Sequence, residues 1–231
     1  MDVDRTTVDP TTVDPTTVAP SDENFDAAFV ADLDRLFRWR RDVRRFSRLP
    51  LETHLLPEII AAAELSPSVG NSQPWRWVEV QSTASREAVR DNFIRCNSEA
   101  LGGYDGERAQ LYSSLKLAGL DDAPVHLAVF CDDSPAQGHG LGRRTVPATL
   151  EYSVVAAVST LWLAARARGV GVGWVSILEP AEVAAELAVP SSWSLVAYLC
   201  IGYPEQAGDV PELERVGWQS RTSTADRYII R

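Results

Sequence analysis

Gly169-Val170-Gly171-Val172-Gly173-Trp174-Val175-Ser176-Ile177 decides which fold this chain can adopt. Glycines at alternate positions open a segment of valine, tryptophan and isoleucine, the composition of a strand. A dinucleotide-binding fold needs such glycines after a strand and at the start of a helix. Here the order is reversed. The preceding segment, Thr149–Arg168, carries Val154, Val155, Val158, Leu161, Trp162 and Ala165 in near-continuous apolar register, with Gly169 as its C-cap. The chain leaves a helix buried on most sides, either the centre of the domain or part of a dimer interface. It then enters a strand whose missing side chains let something planar, or another backbone, come close.

Pro180–Leu187 reads as a short helix and Trp193–Ile201 as a further apolar strand. Upstream, Trp75–Val80 and Val125–Cys131 are strands, and helices are expected at Ser85–Ala100 and at about Tyr104–Leu120. Thr53 is placed to cap a helix that sends Leu56, Ile59, Ile60, Ala63 and Leu65 toward a core, until Ser66-Pro67 ends it. An earlier helix carries Phe25, Phe29, Leu33, Leu36 and Phe37 at helical spacing. Before it, residues 6–20 repeat TTVDP-TTVDP-TTVAP, whose prolines exclude helix and whose single valines form no apolar face. Residues 1–22 are therefore expected to be a disordered tail. Residues 23–231 are expected to form one domain, with the polar stretch after Gly202 wrapping over its surface. The loop Asp132–Arg144, with Gly138, Gly140 and Gly142, is expected to be a surface excursion or lid; no Lys-Ser/Thr follows it, so it is not a phosphate loop.

The 231 residues are 45% hydrophobic, enough for a substantial core, and the formal net charge is -10. That balance argues against nucleic-acid and membrane-surface partners. Cys96, Cys131 and Cys200 are odd in number, widely spaced and without a CxxC pair, which suggests neither a disulfide framework nor zinc. His54, His126 and His139 show no metal or triad spacing, so no metal is expected. No apolar run reaches the roughly 18 residues of a membrane span, and the N-terminus lacks a signal-peptide pattern, so a cytoplasmic location is expected.

Against this acidic background, Arg40-Arg41-Asp42-Val43-Arg44-Arg45-Phe46 concentrates four arginines and one carboxylate. In an extended segment Arg40, Asp42 and Arg44 share one face, while Arg41, Val43 and Arg45 share the other. One face can hold a phosphate and present a carboxylate, although a solvated basic turn after a helix has the same composition. Similarly, Ser66-Pro67-Ser68-Val69-Gly70-Asn71-Ser72-Gln73-Pro74-Trp75 offers hydroxyls, amides and open backbone N–H groups to a polar ligand, or is an ordinary turn. Asp42 is a proton acceptor or a salt-bridge partner, and Ser176 a ligand contact or a strand hydroxyl bonded to backbone. Trp75 and Trp174 can pack over a ring, or lie in the core.

Taken in order, Arg40–Phe46, Ser66–Trp75 and Gly169–Trp174 resemble the pattern of the flavin-binding nitroreductase family. The likeness spans about residues 24–221. Within that family the chain resembles the branch that makes 5,6-dimethylbenzimidazole, the lower ligand of vitamin B12. Four features carry this: Asp42, where ordinary nitroreductases commonly have Ser; Gly-Trp-Val-Ser ending at Ser176; Leu115-Lys116-Leu117 before Ala-Pro-Val-His-Leu-Ala-Val-Phe; and the tail Gly-Tyr-Pro-Glu through Pro-Glu-Leu-Glu-Arg to Gly-Trp and Arg221.

The resemblance implies an α+β fold, a mainly antiparallel sheet flanked by helices, in an intertwined homodimer with flavin mononucleotide (FMN) at the interface. It implies that Arg40, Arg41 and Arg44 engage the flavin phosphate and pyrimidine edge, with Asp42 and Val43 between them, and that Arg221 adds a phosphate contact. Ser66, Ser68 and Gln73 would come from the partner subunit, Ser176 would hydrogen-bond near the ring, and Lys116 is a further ligand candidate or a solvated helix residue. The implied reaction consumes reduced FMN and molecular oxygen, releasing 5,6-dimethylbenzimidazole and erythrose 4-phosphate, with Asp42 as the base. A separate flavin reductase is a possible partner in supplying reduced FMN. An ordinary FMN-dependent reductase drawing on a reduced nicotinamide, and a non-catalytic flavin-storage dimer, are the competing readings; Asp42 separates the first of these from flavin fragmentation.

Overall fold

The computed structural model describes residues 25–114, 119–223 and 227–230. The repeat at 6–20 and Lys116 lie outside them. In chain order the elements are α1 (Ala27–Trp39), α2 (Leu55–Ala63), β1 (Trp75–Glu79), α3 (Thr83–Leu101), α4 (Gly106–Ser114), α5 (Gly119–Asp122), β2 (Val125–Asp132), α6 (Thr149–Ala167), β3 (Gly171–Val175), α7 (Pro180–Glu186), β4 (Trp193–Gly202) and α8 (Glu212–Arg215). The main compact unit begins at Arg35. Residues before it belong to a separate unit, in which the Phe25 and Phe29 rings stack at 4.2 Å.

Among the described residues four strands form one sheet in the order β1-β2-β4-β3, every neighbouring pair antiparallel. Strand alternation sorts its residues onto two faces. Val125, Leu127, Val129 and Cys131 of β2 join Ala197, Leu199 and Ile201 of β4 in a core closed by α2 and α6. The intervening residues Ala128, Phe130, Tyr198 and Cys200 meet Val89 of α3, Leu120 of α5 and Val183 of α7 on the other face. Both central strands are buried on both sides, which is why they read as continuous apolar runs. Between Val129 and Phe130 the register to β4 slips by one residue, a β-bulge that leaves Val196 without an opposite partner.

Helix α6 packs Leu150, Val154, Ala157, Val158, Leu161 and Ala165 against the sheet, while Tyr152 and Val155 stay exposed. The helix expected after Thr53 is shifted. It buries Leu55, Ile59 and Ala63, at intervals of four, and leaves Leu65 86% exposed, because the backbone N–H of Leu65 has already closed a tighter turn onto Ala62. Between Tyr104 and Leu120, where one helix is expected, the described residues hold α4 and the start of α5, and 115–118 lie outside them. The glycine loop after β2 folds back on the turn at Val69–Asn71: Gln137 Nε2 donates to Asn71 O, and a Cβ on Gly138, at φ +83°, would lie 2.8 Å from that of Ser72.

The alternate glycines of β3 are filled by the chain's own backbone. A Cβ on Gly173 would sit 2.1 Å from the carbonyl oxygen of Val43, and one on Gly171 would sit 2.8 Å from a Val43 methyl. Only glycine lets the arginine-rich segment lie this close. Its anchor is Phe46, 1% exposed, whose ring is approached by Gly119, Gly173 and Gly202.

Candidate functional site

The segment after α1 is extended and stitched to the sheet at several points. The backbone N–H of Val43 donates to Val172 O at 3.0 Å, Ser47 N–H donates to Tyr203 O at 2.8 Å, and Glu205 N–H donates to Arg45 O at 3.2 Å. Asp42 pairs with Val172 in a single parallel bridge, and Phe46 pairs with Pro204. Residues more than a hundred positions apart thus enclose a cavity of about 330 Å³, near the lower end of the range for small-molecule sites. Asp42, Arg44 and Arg45 line it from one side, Trp162 and Arg166 of α6 from below, and Glu205–Val210 with Glu212 and Arg215 from the C-terminal tail.

Asp42 is held from two directions. Its Oδ1 accepts the backbone N–H of Trp174 at 2.9 Å, and Oδ2 meets Arg44 Nε at 3.3 Å, as the alternation of the segment predicts. Its pKa is nonetheless raised, because burial against the sheet outweighs both the Trp174 hydrogen bond and the Arg44 guanidinium. From the sequence, flanking arginines would be expected to lower the basicity of this carboxylate. Desolvation reverses the sign, and a carboxylate that holds a proton more tightly is a better base.

The arginines are crowded together. Arg41 is bonded to backbone carbonyls: Nε donates to Asp209 O at 2.8 Å and Nη1 to Arg40 O at 2.7 Å. Burial lowers its pKa first, and the positive charges of Arg221 and Arg40 lower it further. Arg221 is therefore brought from 180 positions away into electrostatic range of Arg41. Arg40 lies over the Trp162 ring at 4.9 Å, and Arg166 over Trp39 at 5.6 Å. Clustered like charges that desolvation makes costly, in a chain of net charge -10, fit a phosphorylated ligand better than a solvated turn.

Arg40 and Arg221 are not among the residues lining the cavity, and the remaining candidates also sit apart from it within the protomer. Ser66 Oγ donates to Thr160 Oγ1 of α6 at 2.7 Å, Ser68 Oγ accepts Gln73 N–H at 3.0 Å, and Gln73 Nε2 donates to Asn71 Oδ1 at 3.3 Å. Ser176 is exposed, one residue beyond β3 and two beyond the Trp174 N–H that Asp42 holds. Trp75 is core, its Nε1 donating to Glu64. Among the described residues no group of three or more His, Cys, Asp or Glu is placed to hold a metal, and no helix is long and apolar enough to cross a membrane. His126 is buried with Nδ1 3.0 Å from Tyr198 OH. Sequence reading missed the lining contributed by Trp162 and Arg166, which stand one turn apart at i, i+4 on α6.

An antiparallel four-stranded sheet with helices on both faces and an arginine-rich segment laid along its last strand define the class. Residues 37–203 match the Nitroreductase family, and the chain belongs to that family and is an enzyme. It is 56% identical over 197 residues to a 5,6-dimethylbenzimidazole synthase of Rhodospirillum rubrum, covering 85% of this chain and 93% of that protein. It is 46% identical over 201 residues to one of Rhodobacter capsulatus, covering 87% and 97%. Among solved structures, an iodotyrosine deiodinase bound to FMN and 3-iodo-L-tyrosine shares the fold with a TM-score of 0.67 at 24% identity, over 86% of this chain and 97% of that one.

Proposed function

We propose that the chain is a 5,6-dimethylbenzimidazole synthase, which fragments reduced FMN with molecular oxygen and releases 5,6-dimethylbenzimidazole and erythrose 4-phosphate. The observation that carries this reading is Asp42, a carboxylate held by the Trp174 N–H and Arg44 that lines the cavity together with Arg41, Arg45 and Arg166, and with Glu205, Asp209 and Glu212 of the tail. The relatives of the same name, matched over nearly their full length, support it.

Reduced FMN is the substrate and supplies both the electrons for oxygen and the carbon skeleton of the products. Arg40, Arg41 and Arg221 hold its phosphate, and Arg44 both reaches the pyrimidine edge and fixes the Asp42 carboxylate. Asp42 orients a ribityl hydroxyl and accepts its proton, while Trp174 N–H keeps Oδ1 in place and leaves Oδ2 to do the chemistry. Ser176 donates to the ring from beyond β3, and Val43 seats the arginine segment against Gly171 and Gly173. Ser66, Ser68 and Gln73 complete the site from the partner subunit of a homodimer. Lys116 is a further contact in this reading. Reduced FMN comes from a separate flavin reductase, and no metal takes part.

The test is direct. The purified protein is given chemically reduced FMN and oxygen, and products are separated by chromatography. Formation of 5,6-dimethylbenzimidazole in stoichiometric yield is the expected result. Steady turnover of nitroaromatics with a reduced nicotinamide, with no benzimidazole formed, would assign an ordinary reductase instead.

A further inference from the structure

The C-terminal tail that walls the cavity is fastened to the protein by an aromatic cluster that none of the roles above uses. After α8, Gly217 takes φ +78° and the Trp218 backbone N–H returns to Leu213 O at 2.8 Å, a left-handed helix ending. The Trp218 indole then meets Tyr104 edge-on, with ring centroids 5.6 Å apart, and lies 6.2 Å from Tyr112. The two tyrosines stack at 4.9 Å, Tyr112 OH donates to Asn97 Oδ1 of α3 at 2.8 Å, and the Arg108 guanidinium covers the Trp218 ring at 5.3 Å. Arg221 follows three residues later. The charge of Arg221 presses on Arg41. Three like charges brought together before a ligand arrives repel one another, so something must hold the most exposed of them in place. A fixed aromatic ring three residues away does this at low entropic cost.

We propose that Trp218 is a positioning residue: packed against Tyr104, Tyr112 and Arg108, it holds Arg221 beside Arg40 and Arg41, so that the site selects a flavin carrying a phosphate over one without. This rests on the flavin reading above and specifies how the phosphate is recognised. The discrimination ratio, not affinity alone, is the signature, because a tail that merely loosened the fold would weaken both flavins alike.

The experiment measures dissociation constants for oxidised FMN and for riboflavin by flavin fluorescence, in the wild type, Trp218→Ala, Trp218→Phe, Arg221→Ala and the Trp218→Ala/Arg221→Ala double variant. The wild type is expected to prefer FMN by at least about tenfold, the value of a charge-assisted phosphate contact. Trp218→Ala loses most of that preference with riboflavin affinity nearly unchanged, Trp218→Phe restores it, and Trp218→Ala adds nothing once Arg221 is gone. An equal loss for both flavins, or an unchanged ratio, overturns the proposal. If Trp218→Ala does not fold, Tyr104→Ala loosens the same cluster from the other side and is held to the same criteria. A wild type that binds neither flavin sinks the flavin reading itself, whereas one that binds both equally sinks only the role of Trp218.

Discussion

Oδ1 of Asp42 accepts the backbone N–H of Trp174 at 2.9 Å, which ties the only carboxylate of the arginine segment to the strand that ends beside Ser176. An amide keeps that acceptor and loses the charge. Asp42→Asn is therefore expected to fold and to bind FMN, yet form no 5,6-dimethylbenzimidazole; an undiminished yield in the chromatographic assay removes Asp42 from the chemistry. Folding raises the carboxyl's pKa above its ordinary 3.8, so the native apo-protein holds this proton more tightly than the unfolded chain. The resulting stabilisation is complete below that ordinary value and is lost as pH rises through the folded-state pKa. Thermal melts across the acid range should show this loss in the wild type and not in Asp42→Asn.

Gly173→Ala puts a methyl group 2.1 Å from Val43 O, where nothing but backbone can give way. A cost of roughly 2–4 kcal/mol is expected from such overpacking, together with loss of FMN binding as Arg41, Asp42 and Arg44 move. Gly208→Ala is the control, since its added methyl group meets nothing within 4 Å. Equal denaturation midpoints for the two variants would contradict the close approach.

His126 is buried beside Tyr198, and burial lowers its pKa from 6.5 to about 4. A depressed folded pKa means that the unfolded chain takes up the proton first, so the contribution is intact above 6.5 and is lost as pH falls toward 4. The shift corresponds to about 3 kcal/mol. Urea midpoints should fall over that window in the wild type and less steeply in His126→Asn. Tyr198→Phe, which removes the partner of Nδ1, should cost about 1–3 kcal/mol at neutral pH.

Helix α1 buries none of its residues, and Phe37 and Trp39 at its end are 49% and 38% exposed. With Ser66, Ser68 and Gln73 bonded away from the cavity of their own protomer, a second copy is the natural source of both cover and contacts. Sedimentation should give twice the chain mass of 25.3 kDa, and Phe37→Asp should shift the mass to a single chain while weakening FMN binding. A wild type that sediments as a monomer and still binds FMN would refute it.

The central strands are legible because both are buried on two sides: Val125–Cys131 is expected and Val125–Asp132 is found, Trp193–Ile201 is expected and Trp193–Gly202 is found. Helix edges were less so. Leu65 looked periodic with Ile59 and Ala63, but the tightened last turn carries it into solvent. The arginines were visible as a charge anomaly, whereas the sign of the Asp42 shift was not, since desolvation depends on what the sheet places behind the carboxylate. Nor could sequence pair Val43 with Gly173, or Trp218 with Tyr104. Contacts between segments more than a hundred residues apart leave no periodicity to read.

Strand β3 is the last strand of the sheet, and the Asp42–Val43 segment occupies the side that no other strand covers. An uncovered strand edge is a template on which a second molecule can add a strand and start aggregation. The segment that carries Asp42 therefore also covers this edge. Replacements such as Asp42→Ala, which surrender the Trp174 N–H along with the charge, carry a colloidal liability on top of any catalytic one.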